Sequence, residues 1–117
     1  MNIRAKTLLS SEFTQNFKKK TGGRIVSLTS GQFQESMAGE LAYATTKDAI
    51  GALTITLAAE VAHLGITVNA INPGPTDTGG MSEDIKGKLE PMFAFGRIGE
   101  PSDVAKAIKF LVSEDAN

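Results

Sequence analysis

The feature that most constrains this chain is a stretch without charge between Asp48 and Glu60, set between two short apolar runs. Small or apolar residues on nearly every side predict a helix over about Leu41 to His63, and such a helix must be covered on more than one side. One side can pack on strands; the other needs a second element or a second subunit. R-I-V-S-L-T from Arg24 to Thr29 reads as a strand, and I-T-V-N-A-I-N from Ile66 reads as another. Two strands joined by a long helix form a βαβ unit, which forces parallel pairing. The fold class is therefore α/β. Pro73, Gly74 and Pro75 cut the second strand and open a loop at its carboxyl end, the side on which open parallel sheets bind ligands.

The flanking segments are simpler. Ile3, Leu8, Leu9, Phe13 and Phe17 approximate a helical stripe, which predicts a helix over residues 2–20 stopped by Gly22 and Gly23. Lys18, Lys19 and Lys20 then complement its dipole. Residues 30–40 contain two glycines and several polar residues, as a loop should. Gly79 and Gly80 precede a mixed segment, Met81 to Phe95, that suits either a hinged substrate lid or an ordinary surface helix. Pro101 marks the first position of a last helix with Val104, Ile108 and Leu111 on one face. With no repeat and no linker, residues 1–117 read as one domain.

Composition narrows the function classes. A net charge of -1 leaves no field to hold polyanions, so nucleic acid is not an expected partner. No cysteine occurs, which removes disulfides and thiolate chemistry and suits a reducing compartment. The uncharged run is far shorter than the ~20 residues of a membrane span. With Asn-Ile-Arg after Met1 and no apolar leader, the expectation is a cytoplasmic protein. His63, the only histidine, sits near a helix end rather than in a metal-ligand cluster, so no metal is expected. Glu35 and Glu40 flank the loop, where surface roles suit them.

The chemistry points to Ser30, Tyr43 and Lys47. Residues four apart on a helix share a face, so the Lys47 ammonium stands one turn from the Tyr43 phenol. Free tyrosine titrates near ~10, a poor base at neutral pH, and a neighbouring cation favours the phenolate. The pair makes a general acid/base. Ser30, at the end of the first strand, could hold the oxygen of a carbonyl or alcohol that the tyrosine protonates or deprotonates. Alone, a Y-x-x-x-K pair reads better as a surface contact; its place between a strand end and an apolar helix reverses that in favour of the functional reading.

Ser30, Tyr43-x-x-x-Lys47 and the P-G-x-x-x-T run from Pro73 to Thr78 resemble, in order and spacing, the short-chain dehydrogenase/reductase family. The look is nearest to its 3-oxoacyl-[acyl-carrier-protein] reductase-like members, and F-G-R-I-G-E-P-S-D-V-A from Phe95 extends it. The resemblance implies an NAD- or NADP-dependent oxidoreductase that moves hydride to or from a small carbonyl or alcohol substrate, acyl thioesters included. It implies Tyr43 as acid/base, Ser30 as oxygen holder, and Lys47 as partner of Tyr43 and of the nicotinamide ribose. Asn2 would join a proton relay. Pro73, Gly74, the backbone of Thr76 and the side chain of Thr78 would line the cofactor. Ser27 and Thr29 stand where many members have Asn and Ser, a mild departure.

The comparison also implies an absence. No G-x-G-x-x-G turn, no N-N-A-G element and no reader of the adenosine ribose occurs. The expected fold is thus a partial Rossmann-like, doubly wound parallel sheet lacking the N-terminal nucleotide-binding βαβ units and the last strand. Two strands make a marginal sheet, so association is expected, as a homo-oligomer through helices 2–20 and 41–63. Two readings follow: an oxidoreductase or its catalytic half, and a non-catalytic remnant acting as a helix-pair association module. Cofactor titration separates them.

Overall fold

The computed structural model describes residues 2–31 and 36–117. In order these form α1 (Asn2–Asn16), β1 (Gly23–Leu28), α2 (Leu41–Val61), β2 (Ile66–Ile71), α3 (Glu83–Leu89) and α4 (Pro101–Leu111), with 3-10 turns at Ala62–Leu64, Glu90–Met92 and Glu114–Ala116. β1 and β2 pair in parallel, from Gly23 opposite Ile66 to Leu28 opposite Ile71. The ladder is extended at both ends, where Gly23 N–H donates to Gly65 O (3.0 Å) and Thr29 N–H to Ile71 O (2.9 Å). The α/β architecture expected from the alternating pattern is present.

Helix α2 crosses back over the sheet and buries Val61 against Ile66 and Val68, joined by Phe17, Ile25, Leu57, Ala58 and Leu64. Each such buried aliphatic side chain contributes about 1.5–3 kcal/mol. Alternation along β1 places Arg24 opposite in sense to Ile25. Its guanidinium donates to Ser113 O (3.3 Å) and Asn117 Oδ1 (2.7 Å), which fastens the segment after α4 to the sheet. Helix α4 starts at Pro101 as expected, inside a capping box in which Glu100 and Asp103 exchange bonds.

The first helix is shorter than its apolar stripe predicts. It ends at Asn16, not Lys20. The Asn16 amide donates to Glu12 O at 2.9 Å, competing with the helical ladder. Phe17 turns inward to the Val61 cluster, and Lys20 takes a left-handed conformation at φ 64°. Of the three lysines, Lys18 still reaches the helix end, donating to Gln15 O at 3.4 Å. The first strand runs one residue earlier than predicted, and the second helix closes through the turn at Ala62–Leu64 into Gly65. The Met81–Phe95 segment is helical only over Glu83–Leu89, because Pro91 lies in the tighter turn that follows.

Gly65 is required twice over, by φ 73° and because a Cβ there would run into the Lys20 carbonyl. Gly22 shares the left-handed geometry, at φ 76°, with open space around it. Gly65→Ala should lower stability by more than about 2 kcal/mol and Gly22→Ala by only about 1 kcal/mol, read from urea unfolding midpoints. A second prediction concerns acid. The Arg97 guanidinium, followed by the Glu100 backbone N–H, holds the Asp103 carboxyl well below the usual carboxylate range. A depressed carboxylate stabilises above its unfolded value near ~3.9, and that stability is lost as pH falls through the folded value. The melting-temperature gap between the native chain and Asp103→Asn should be flat from about pH 5 to 8 and shrink below about pH 4.

Candidate active site

β1 stops at Leu28, so Thr29 and Ser30 leave the sheet at its carboxyl edge. β2 stops at Ile71, so Asn72, Pro73 and Gly74 leave at the same edge. Between them stands the first turn of α2, which carries Tyr43. These three groups enclose a cavity of about 390 Å³ lined by Thr29, Ser30, Gly31, Ser36, Met37, Tyr43, Asn72, Pro73, Gly74 and Pro75.

Tyr43 is 43% exposed, and its phenol oxygen has no hydrogen-bond partner among the described residues. It is available to a ligand in the cavity. The Lys47 ammonium lies 5.8 Å from the Tyr43 ring centroid and donates to Leu28 O at 3.2 Å. Tyrosine and lysine therefore share a helix face, with the cation anchored on the last carbonyl of β1. Among the described residues, the Ser30 hydroxyl makes a long contact to Met37 Sδ, 3.8 Å, a weak acceptor readily exchanged for oxygen.

Ser30, Tyr43, Pro73 and Gly74 thus meet in one place. Lys47 stands behind Tyr43 rather than in the cavity wall. Thr76 is turned back on its own loop, its hydroxyl donating to Gly74 O at 3.3 Å, and its backbone bridges to Gly99. Thr78 is exposed and outside the wall. Asn2 opens α1, and its side chain lies outside what the structure describes. Glu35 lies outside the described residues, and Glu40 precedes α2 without capping it through its side chain.

Sequence reasoning missed Ser36, Met37 and Asn72 as cavity residues. Asn72 had a signal: N-P-G is turn chemistry, and its Oδ1 accepts Gly74 N–H at 3.1 Å. Met37 had none. Lys6 was also unassigned; partial burial first, and the Lys47 charge second, push its ammonium below the usual lysine range. Beyond the cavity, Asp77 accepts from Gly79 N–H at 2.8 Å and pairs with Lys86 at 2.7 Å. The Lys86 side chain, then Gly79 N–H, lowers the Asp77 value, while Asp77 and then Glu83 raise that of Lys86.

The nicotinamide end of a dinucleotide suits this edge. Among the described residues, no heavy atom beyond its chain neighbours lies within 4 Å of a Cβ built on Gly74, so a flat ring can approach that backbone closely.

The family described as enoyl-(acyl carrier protein) reductase matches residues 1–117. The chain belongs to the short-chain dehydrogenase/reductase family. It is 52% identical over 118 residues to the uncharacterized oxidoreductase YjdA of Bacillus subtilis, covering 99% of this chain and 47% of that protein. With the 3-oxoacyl-[acyl-carrier-protein] reductase FabG of Aquifex aeolicus it shares 35% identity over 120 residues, 100% of this chain and 48% of the relative. Among solved structures, the landomycin C-6 ketoreductase LanV with bound NADP and rabelomycin superposes with a TM-score of 0.83 at 28% identity, covering 98% and 43% of the two chains. This chain therefore spans about half the length of the relatives it matches, and its fold is a partial Rossmann-like one. No described helix is long and apolar enough to cross a membrane.

If the phenol oxygen is free and the ammonium is bound, the two side chains differ in structural cost. Tyr43→Phe should leave urea stability within about 0.5 kcal/mol, whereas Lys47→Met should lower it by about 1 kcal/mol through loss of the Leu28 bond.

Proposed function

We propose that residues 1–117 form the catalytic half of an NAD(P)-dependent oxidoreductase acting on a small carbonyl or alcohol. The observation that carries this reading is the convergence of Ser30, the half-exposed Tyr43 phenol and the Pro73–Gly74 backbone on one cavity. Ser30 Oγ donates to the substrate oxygen and holds it within reach of Tyr43. The Tyr43 hydroxyl delivers a proton to that oxygen in reduction and takes it back in oxidation. Lys47, fixed on Leu28 O, keeps positive charge beside the ring as phenolate develops. A bound nicotinamide supplies or accepts the hydride. Pro73, Gly74 and the Thr76 backbone would hold it, with Thr78 and the Asn2 relay completing the site. A 3-oxoacyl thioester is the first substrate class to try, with other small ketones beside it, since the relatives include a 3-oxoacyl-[acyl-carrier-protein] reductase and a ketoreductase. NADP is the first candidate, on the ligand held by LanV. A cytoplasmic setting is consistent with this chemistry.

A homo-oligomer through α1 and α2 belongs to the same proposal. Leu8, Leu9 and Ile55 on those helices are 58%, 71% and 77% exposed. The same exposure favours the second reading, a helix-pair association module with idle chemistry.

Tyr43 is the only tyrosine and there is no tryptophan, so its fluorescence reports directly on the cavity. Titration with NADPH or NADH should quench it and shield it from acrylamide, and Tyr43→Phe should cut carbonyl reduction by about 10²–10⁴-fold with nucleotide binding retained. Oligomers that bind neither nucleotide would favour the association module, and unchanged turnover in Tyr43→Phe would refute the acid/base assignment.

A further inference from the structure

The loop after β2 and the helix α3 are joined across two exposed glycines. Gly79 takes φ 96°, a Cβ on Gly79 or Gly80 would meet no heavy atom within 4 Å, and both residues are exposed. Backbone of this kind rotates at little steric cost. Beyond it, α3 packs chiefly on the Glu90–Met92 turn that follows it rather than on the sheet. The far end of the segment is tied down: Asp77 N–H donates to Gly99 O (2.9 Å), Gly99 N–H to Pro75 O (3.3 Å), and Ile98 beside them is buried. Residues 78–98 are thus a flap whose ends meet at Asp77 and Gly99, with a glycine pair just inside one end whose first member is held by the Asp77 carboxylate.

One side chain closes this hinge. The Lys86 ammonium, on the second turn of α3, reaches back over Gly79–Gly80 to Asp77 at 2.7 Å. Both side chains are largely screened from water, at 28% and 20% exposure, unlike Glu83, the other partner of Lys86, at 90%. Asp77 is itself oriented by Gly79 N–H. We infer that Asp77 and Lys86 form an ionic strap that seats α3 against the loop carrying Thr76 and Thr78, so that Lys86 is a positioning residue for the flap. Helix α3 is then neither a plain surface helix nor a free lid. It is a hinged element whose seat is set by this charge pair together with the Gly79 N–H bond to Asp77. The proposed function enters only in what the flap adjoins; the strap itself needs no nucleotide.

Backbone amide order parameters of the whole chain test this without any ligand. In the native chain, amides of residues 83–89 should sit near about 0.85; in Lys86→Met and in Asp77→Asn they should fall toward about 0.6 or below. Lys86→Arg should restore them, and high salt should lower them in the native chain. Amides of β1 and β2 should not change in any variant. The strap is overturned if residues 83–89 stay rigid in both Lys86→Met and Asp77→Asn, or if β1 and β2 loosen to the same extent. Failure of nucleotide titration would count against the oxidoreductase reading and leave this result standing.

Discussion

Parallel pairing of β1 with β2 is the constraint on which everything else here depends. Because both strands run the same way, both carboxyl ends fall on one edge, and residues just beyond Leu28 and Ile71 emerge side by side. The crossover helix must begin where β1 lets go, so its first turn stands over that same edge. Ser30, Tyr43 and Pro73–Gly74 are well separated in the chain, yet the topology brings them to the wall of one cavity. The cavity between them follows from the connection, and the chemistry of the residues fills it.

The same logic explains which parts were legible in advance. Strand ends and helix starts carry local signals: Pro101 at the head of α4, Gly65 after α2, and N-P-G after β2 were all readable from turn and cap chemistry. Residues placed by those signals were readable too, which is why Ser30, Tyr43, Pro73 and Gly74 could be named from spacing. What escaped depends on rotation and closure. The apolar stripe of α1 continues through Phe17, yet the helix stops at Asn16, because Phe17 is drawn inward by the distant Val61, Ile66 and Val68. Met37 meets Ser30 only through the path of the intervening loop, and Lys6 feels Lys47 only through the azimuth at which α1 lies on α2. No local pattern encodes either.

Helix α2 shows how an element without a polar face is used. Its interior stretch is apolar on nearly every side and its cover is partial: Ile50 is fully buried, whereas Ile55, at the edge of a groove shared with Val68, Asn69 and Ala70 of β2, is 77% exposed. Helix α1 packs beside it and leaves Leu8 and Leu9 open as well. The radius of gyration, 16.3 Å, exceeds the about 13 Å of a compact domain of this length. An apolar helix surface of this kind is stable when another surface lies on it, and that argues for association along α1 and α2 more directly than any motif does.

Stability and chemistry also occupy opposite ends of the sheet. Because α2 runs antiparallel to the strands, its last two turns, with Leu57, Ala58 and Val61, lie over the amino ends of β1 and β2, where Ile66, Ile25 and Phe17 complete the core. Its first turn lies over the carboxyl ends, where Leu41 is 81% exposed and the cavity opens. Among the described residues, the Lys47 bond to Leu28 O is the polar tie from α2 to the strand at that end. A lysine in this position therefore does two things at once: it closes a carbonyl at the end of β1 that the crossover leaves available, and it sets a cation against the phenol. Replacing it changes the seat of the helix as well as the electrostatics of the tyrosine, so the two effects separate only when stability and chemistry are measured on the same variant.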